Sequence, residues 1–258
     1  MILSCCSWAL ECPEADKLER LQKIGLQALD IRASMLRTPA LQARGHELGL
    51  TVTCIAASHE MPKGATLDSD DIDRVDRAYG HLEQGMAHAA SLGARWSYVV
   101  PDPPRDSDSR QRYFDPLCRL ADHGATLGLK LCIEHFPGTA MPSVADTLEF
   151  ITEAGHPNLH LLFDIGHAQM SGEDPVSMLS AAGARLGYVH LDDNDGVGDL
   201  HLALTDGVQT RDSLSAFFYA LRDVGYDGPV SLEMHPQLPD PSDAIRRSLD
   251  LTQELWNP

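Results

Sequence analysis

Basic residues are scarce in this sequence: 20 Lys and Arg stand against 38 Asp and Glu, a formal net charge of −18. A field of that sign repels polyanions, so a nucleic-acid or anionic-membrane partner would need a local basic patch. No run of Lys or Arg supplies one. Apolar stretches are short as well, and none approaches the roughly 20 residues of a membrane span. The apolar opening, Met1 to Leu10, lacks a basic leader and soon meets Glu11 and Glu14, so it reads as a first strand rather than a signal peptide. The six cysteines form no Cys-x-x-Cys and match neither a zinc knuckle nor a secreted disulfide framework. Cys5, Cys6, Cys54 and Cys132 lie in apolar runs, where a reduced thiol acts as a small hydrophobe. A reducing cytoplasm is the expected home. Also missing is a Gly-x-Gly-x-x-Gly after the first strand, where a dinucleotide-binding fold carries it.

What is present is alternation. Short runs rich in β-branched and small residues predict strands over Ile2–Ser7, Ala28–Arg32, Leu50–Ala57, Trp96–Val100, Lys130–His135, His160–Ile165, Leu186–Leu191 and Pro229–Met234. Amphipathic stretches between them predict helices over Ala15–Leu26, Thr38–Leu48, Ser69–Leu92, Arg110–Leu127, Val144–Ala154, Ser213–Val224 and Ser242–Leu251, with a weaker one over Pro175–Ala182. Gly25, Gly49, Gly93, Gly128, Gly155 and Gly225 fall where helices should stop, and Ser143 is placed to cap the helix after strand five. Eight strand–helix units in 258 residues fit a single (β/α)8 TIM barrel occupying residues 1–258 as one domain. The polar stretch Pro101–Ser109 then rises from the same face as the other βα loops, as a lid or a plain surface loop.

Ionisable residues are costly inside strands. They nevertheless recur at the ends of the last four: Glu134 after Leu131-Cys132-Ile133, Asp164 after Leu161-Leu162-Phe163, His190 after Tyr188-Val189, and Glu233 after Val230-Ser231-Leu232. One such residue is usually a cap or a tether. Four in consecutive strands of a barrel reach one rim, where three carboxylates would repel each other unless a cation neutralised them. A hard or borderline divalent ion suits oxygen and imidazole ligands: Mn²⁺ first, with Mg²⁺, Co²⁺ or Zn²⁺ as alternatives.

The stretches Ile133-Glu134-His135, Phe163-Asp164-Ile165-Gly166-His167, Val189-His190-Leu191-Asp192-Asp193-Asn194, Asp199-Leu200-His201 and Ser231-Leu232-Glu233 resemble the xylose isomerase-like TIM-barrel superfamily of sugar isomerases and epimerases. The resemblance spans essentially the whole chain. It implies that Glu134, Asp164, His190 and Glu233 bind one metal, that Glu134 and Glu233 also act as an acid/base pair on opposite substrate faces, and that His167 contacts substrate. The implied reaction is isomerisation or epimerisation of a small sugar, polyol or sugar acid through a metal-stabilised enediolate. A keto-polyol dehydratase would use the same proton abstraction, and a non-catalytic sugar-binding barrel is the reading from another class.

The endonuclease branch of this superfamily uses an Asp-x-His pair like Asp199 and His201 to hold further zinc ions, with histidines at the ends of strands three and four. Here His59 follows strand three, but Val99-Val100-Pro101-Asp102 ends strand four without one. The multinuclear set is incomplete, so Asp199, His201 and His59 are assigned to substrate contact or loop pinning, and an apurinic-site nuclease ranks third among the enzyme readings. Two other departures concern the sugar. No Arg stands in Leu191-Asp192-Asp193-Asn194-Asp195-Gly196 just after His190, and Thr205-Asp206-Gly207 retains only the second glycine of the Gly-x-Gly common in relatives. No arginine clamp is legible in the βα loops, and the acidity favours a neutral over a phosphorylated substrate. The expected partner is a small carbohydrate, with no nucleic acid and no membrane, in a homodimer or homotetramer. His135 and His235 alternate away from the glutamates and are expected to lie behind the ligands or in loops.

Overall fold

The computed structural model describes residues 1–256. Its strands are β1 (Ile2–Cys5), β2 (Ala28–Arg32), β3 (Thr51–Ala56), β4 (Trp96–Val99), β5 (Lys130–Glu134), β6 (Leu159–Asp164), β7 (Leu186–Leu191) and β8 (Pro229–Leu232). They pair in the order β1-β8-β7-β6-β5-β4-β3-β2, and the ladders are parallel. β1 and β2 meet through a parallel bridge from Cys6 to Asp30, so the sheet is a nearly closed barrel with helices between its strands. This is the (β/α)8 fold expected from the alternation.

The helices are α1 (Glu14–Ile24), α2 (Pro39–Glu47), α3 (Ile72–Ser91), α4 (Ser109–Arg112), α5 (Phe114–Thr126), α6 (Val144–Ala154), α7 (Ile165–Met170), α8 (Pro175–Ala182), α9 (Arg211–Asp223) and α10 (Pro241–Trp256). Their ends follow local chemistry. Thr38, Ser143 and Thr210 each accept a backbone N–H from the first turn, and the six glycines expected to stop helices all have positive φ.

Most boundaries shift by a residue or more from the sequence reading, and two of the shifts lie at the site. The first strand ends at Cys5, and Ser7–Ala9 forms a 3₁₀ turn that lifts Trp8 out of the wall. β6 ends at Asp164 because its Oδ1 accepts the His167 N–H at 2.7 Å, capping α7, so Ile165 is helical rather than extended. The stretch Arg110–Leu127 splits into α4 and α5, and α10 runs on to Trp256. No helix among the described residues is long and apolar enough to cross a membrane.

Side-chain alternation sorts the strands into two faces. Leu29, Ile31, Ile55, Leu131, Ile133, Phe163, Val189 and Val230 belong to the large core shared with the helices. Cys54, Ala56, Tyr98, Cys132, Leu162 and Tyr188 form a separate small core, which fills the barrel interior. Each fully buried large side chain contributes about 1.5–3 kcal/mol of transfer free energy. The interior series continues upward at the next alternate positions: Arg32, Glu134, Asp164, His190 and Glu233.

The polar stretch 101–108 is tied down rather than free. Asp102 N donates to Tyr113 OH at 2.8 Å, Thr66 Oγ1 donates to Asp102 Oδ2 at 2.5 Å, and the fully buried Asp68 binds Ser109 and Arg112. No residue of Pro101–Ser109 lines the cavity described next, which favours the plain surface loop over the lid.

Candidate metal and substrate site

The C-terminal ends of the strands open into a cavity of about 440 Å³. Trp8, Arg32, His59, Glu134, His167 and Glu233 are in its wall, as are Asp199, His201 and His235. Asp164 and His190 lie behind that wall and are wholly buried.

Glu134, Asp164, His190 and Glu233 converge as the sequence predicted: one candidate ligand atom from each lies within 4.8 Å of every other. Ladder register explains part of this, since Asp164 pairs with His190 across β6 and β7. Glu233 lies just past β8, yet its N–H still donates to Leu191 O at 3.0 Å, holding it in line. The focus is His190 Nδ1. It stands 2.7 Å from Glu233 Oε2, 3.3 Å from Glu134 Oε1 and 3.9 Å from Asp164 Oδ2.

The residues fit a cation. Asp164 Oδ2 and His190 Nδ1 are buried polar atoms without an aligned hydrogen bond, an arrangement that is rare unless something else occupies the vertex. Burial also pushes the Asp164 carboxyl up, to about 7, helped by the neighbouring charge of Asp192. Three oxygen donors and one imidazole nitrogen are a donor set for a hard or borderline divalent ion.

The two glutamates differ. Burial raises the Glu134 carboxyl above its ordinary value. Burial acts the same way on Glu233, but is outweighed by His190, His201 and the Trp8 hydrogen bond, and that carboxyl lies well below its ordinary value. Trp8 Nε1–H donates to Glu233 Oε1 at 2.8 Å. With Oε2 facing His190, both oxygens of Glu233 are engaged, while Glu134 has only His190 Nδ1 and His167 Nδ1 at 3.3 and 3.8 Å.

His167, Asp199 and His201 form a second group at the rim. Asp199 Oδ1 lies 3.3 Å from His167 Nε2 and 3.2 Å from His201 Nε2. Burial depresses His167, but Asp164, Asp199 and Glu134 outweigh it and carry the imidazole up to about 10. Asp199 thus fastens its loop to His167. More of the pinning falls to Asp193, which the sequence reading passed over: its carboxylate accepts the N–H of Asn194, Gly207 and Gln209. This accounts for the retained glycine, because a Cβ on Gly207 would strike Asn194 O. Thr205, where relatives carry the first glycine, adopts φ +73°. His59 also reaches the cavity, its ring tilted against Trp8 at a centroid distance of 5.2 Å. His135 is wholly buried behind the ligands, where its Nε2 accepts the Asp164 N–H at 3.2 Å. His235, in the loop after β8, faces the cavity.

Sequence reading missed three residues here. Trp8 was hidden in an apolar run. Asp30 and Arg32 were visible as alternate charges in Ala28-Leu29-Asp30-Ile31-Arg32, the same signal that exposed the last four strands. Among the described residues, the βα loops indeed put no arginine into the cavity wall; the one arginine there, Arg32, comes from the end of β2. Asp30 is wholly buried, accepts hydrogen bonds on Oδ1 from Ser4 (2.9 Å), Thr53 (2.6 Å) and Tyr188 (2.5 Å), and turns Oδ2 toward His190 Nε2 at 3.7 Å.

A buried carboxylate–imidazole quartet at the C-terminal mouth of a (β/α)8 barrel defines the class: a TIM barrel with a candidate metal centre. The chain belongs to the xylose isomerase-like TIM barrel family, whose model matches residues 18–255. It is 27% identical over 169 residues to an inosose dehydratase from Lacticaseibacillus casei, covering 60% of this chain and 54% of that one. It is 26% identical over 162 residues to an L-ribulose 3-epimerase from Methylomonas sp. (strain DH-1), covering 60% and 52%. The matched segments therefore span about half the length of these relatives. In three dimensions the fold superposes on a 3-keto-D-glucoside 4-epimerase from E. coli with a TM-score of 0.84 at 20% identity, over 98% of this chain and 99% of that one.

Proposed function

We propose that this protein is a divalent-metal-dependent isomerase or epimerase of a small sugar, polyol or sugar acid, with the ion held by Glu134, Asp164, His190 and Glu233. The carrying observation is the placement of these four: candidate ligand atoms within 4.8 Å of one another, with Glu134 and Glu233 also in the wall of a cavity of sugar size. Mn²⁺ is the first candidate, and Mg²⁺, Co²⁺ and Zn²⁺ are also compatible with carboxylate and imidazole donors. Bound there, the ion supplies Lewis-acid stabilisation of charge developing on substrate oxygens.

The protein's own groups divide the remaining work. Glu233, with a depressed carboxyl fixed by Trp8, is ionised at neutral pH and suited to accept the proton beside the carbonyl. Glu134, raised by burial and without an anchoring hydrogen bond, is suited to return one. His167, fastened by Asp199, offers an N–H to substrate oxygen, and Trp8 and His59 supply an aromatic wall. The free and largely buried cysteines suit a reducing compartment.

Deuterium wash-in from heavy water is the test, using Mn²⁺-loaded protein and a panel of ketoses and keto-acids. Exchange should occur with at least one compound and fall by about 10²–10⁴ in Glu134→Gln and Glu233→Gln. Metal bound stoichiometrically with no exchange anywhere overturns the reading. The likeness to an inosose dehydratase supports a second outcome on the same site, loss of a hydroxyl after proton abstraction, which an enone absorbance would reveal.

A further inference from the structure

We infer that the substrate carries a carboxylate, and that Arg32 is the residue that receives it. This rests on the proposal that the cavity is the sugar site, and it narrows that proposal to sugar acids.

Arg32 ends β2 on the interior-facing alternation, and it is the Lys or Arg among the residues lining the cavity. Among the described residues its side chain donates no hydrogen bond and makes no ion pair, and its Nε is buried without a partner. What sets it apart is burial: Arg20, Arg77 and Arg95 also lack a side-chain partner but are exposed to water, whereas Arg32 is half-buried. A guanidinium presents five donors in a planar fork, and half-burying it unpaired carries a desolvation cost that an incoming acceptor removes.

The fork is held ready. Its Cζ lies 5.1 Å from the centre of the Trp8 ring, and Trp8 in turn donates to Glu233. This cation–π contact holds the guanidinium on the same Trp8 that binds the glutamate assigned to proton abstraction, without consuming its hydrogen-bonding capacity. A planar fork matches a carboxylate in a bidentate pair. A phosphate group is the poorer match, since no second Lys or Arg lines the cavity to share its charge. Relatives that hold the sugar with an Arg beyond the strand-seven His would do so from β7. Here that position is Leu191-Asp192-Asp193-Asn194, and the cation instead enters from β2, across the mouth.

Titration calorimetry on the Mn²⁺-loaded protein tests this with two non-reacting polyols of equal chain length, D-gluconate and D-glucitol. Gluconate should bind at least tenfold more tightly in the wild type. In Arg32→Gln the preference should fall to within about threefold, and Arg32→Lys should keep part of it. Equal binding of the two polyols overturns the proposal, as does failure of gluconate to bind at millimolar concentration. A preference that survives in Arg32→Gln overturns it too, because the carboxylate is then on the metal. Inorganic phosphate binding more tightly than acetate, with that advantage lost in Arg32→Gln, would reassign the subsite to phosphate and also overturn it. Circular dichroism melting establishes that both variants fold. These are binding measurements, so an absence of deuterium exchange with every sugar tested would sink the proposed reaction and leave this comparison intact.

Discussion

Asp30 Oδ2 lies 3.7 Å from His190 Nε2, on the opposite side of the imidazole from the three carboxylates that face Nδ1. A carboxylate there disfavours a lone pair on Nε2 and favours the Nε2–H tautomer, leaving Nδ1 free to ligate. Three hydrogen bonds to Oδ1 keep Asp30 from rotating. Asp30→Asn should therefore weaken Mn²⁺ binding by about 10–100-fold, the usual scale for loss of a group orienting a ligand. Calorimetry measures the affinity. Nitrogen shifts of His190 in the Mg²⁺-loaded protein report which nitrogen bears hydrogen, and a wild-type Nδ1–H signature would sink the idea. Replacing Cys6, whose Sγ also approaches Nε2 at 3.9 Å, by Ala should leave the tautomer unchanged.

Trp8 contributes through its N–H as well as its ring. Trp8→Phe keeps an aromatic ring against Arg32 and His59 but deletes the donor to Glu233 Oε1. A hydrogen bond to a charged group is worth about 1.5–3 kcal/mol, so the exchange rate should fall about tenfold or more. Metal affinity should stay within about threefold, because Oε2 still faces the ion site. Unchanged exchange in this variant would mean that the bond does not position Glu233 for proton transfer.

The quartet was legible because each member interrupts an apolar strand at its end, and parallel strands deliver such ends to one rim. Arg32 satisfies the first condition equally, and Asp30 interrupts the same strand one alternate position earlier. Their importance depends on who faces them, however, and Asp30 meets Tyr188 across the barrel at a separation of 158 residues. No local pattern carries that information. Trp8 was illegible for a different reason. Cys6-Ser7-Trp8-Ala9-Leu10 continues the apolar run of β1, and only the 3₁₀ turn makes Trp8 a rim residue. Asp164 blurred its own strand end, since one carboxylate both caps α7 and joins the quartet.

Gly166 marks a close approach in the sequence Asp164-Ile165-Gly166-His167. Its N–H donates to Asp192 Oδ1 at 3.1 Å, its carbonyl accepts from Asn194 Nδ2 at 3.0 Å, and a Cβ would collide with both side chains. Gly166→Ala should cost about 1–3 kcal/mol of stability through overpacking. Gly80→Ala, in α3 where an added Cβ meets nothing within 4 Å, should instead stabilise by about 0.5–1 kcal/mol. Urea midpoints compare the two, and a neutral Gly166→Ala would mean that the β6–β7 loop contact yields without penalty.

His160 gives the barrel a pH dependence away from the metal site. It lies in β6 with Nδ1 buried and unpaired, and burial, aided by Lys130 and Arg185, pushes its pKa down to about 4. In the unfolded chain the same imidazole titrates near 6.5. Between those values the unfolded state binds a proton that the folded state refuses, so stability is full above about 6.5 and is lost as pH falls toward 4. Discounted for partial exposure, the loss from this one residue is about 1–2 kcal/mol. His160→Gln should remove that part of the acid slope: the unfolding free energies of wild type and variant should converge by about this amount between pH 8 and pH 4.5. Parallel profiles would assign the acid sensitivity elsewhere, with the wholly buried His135 next in line, since burial depresses its imidazole too.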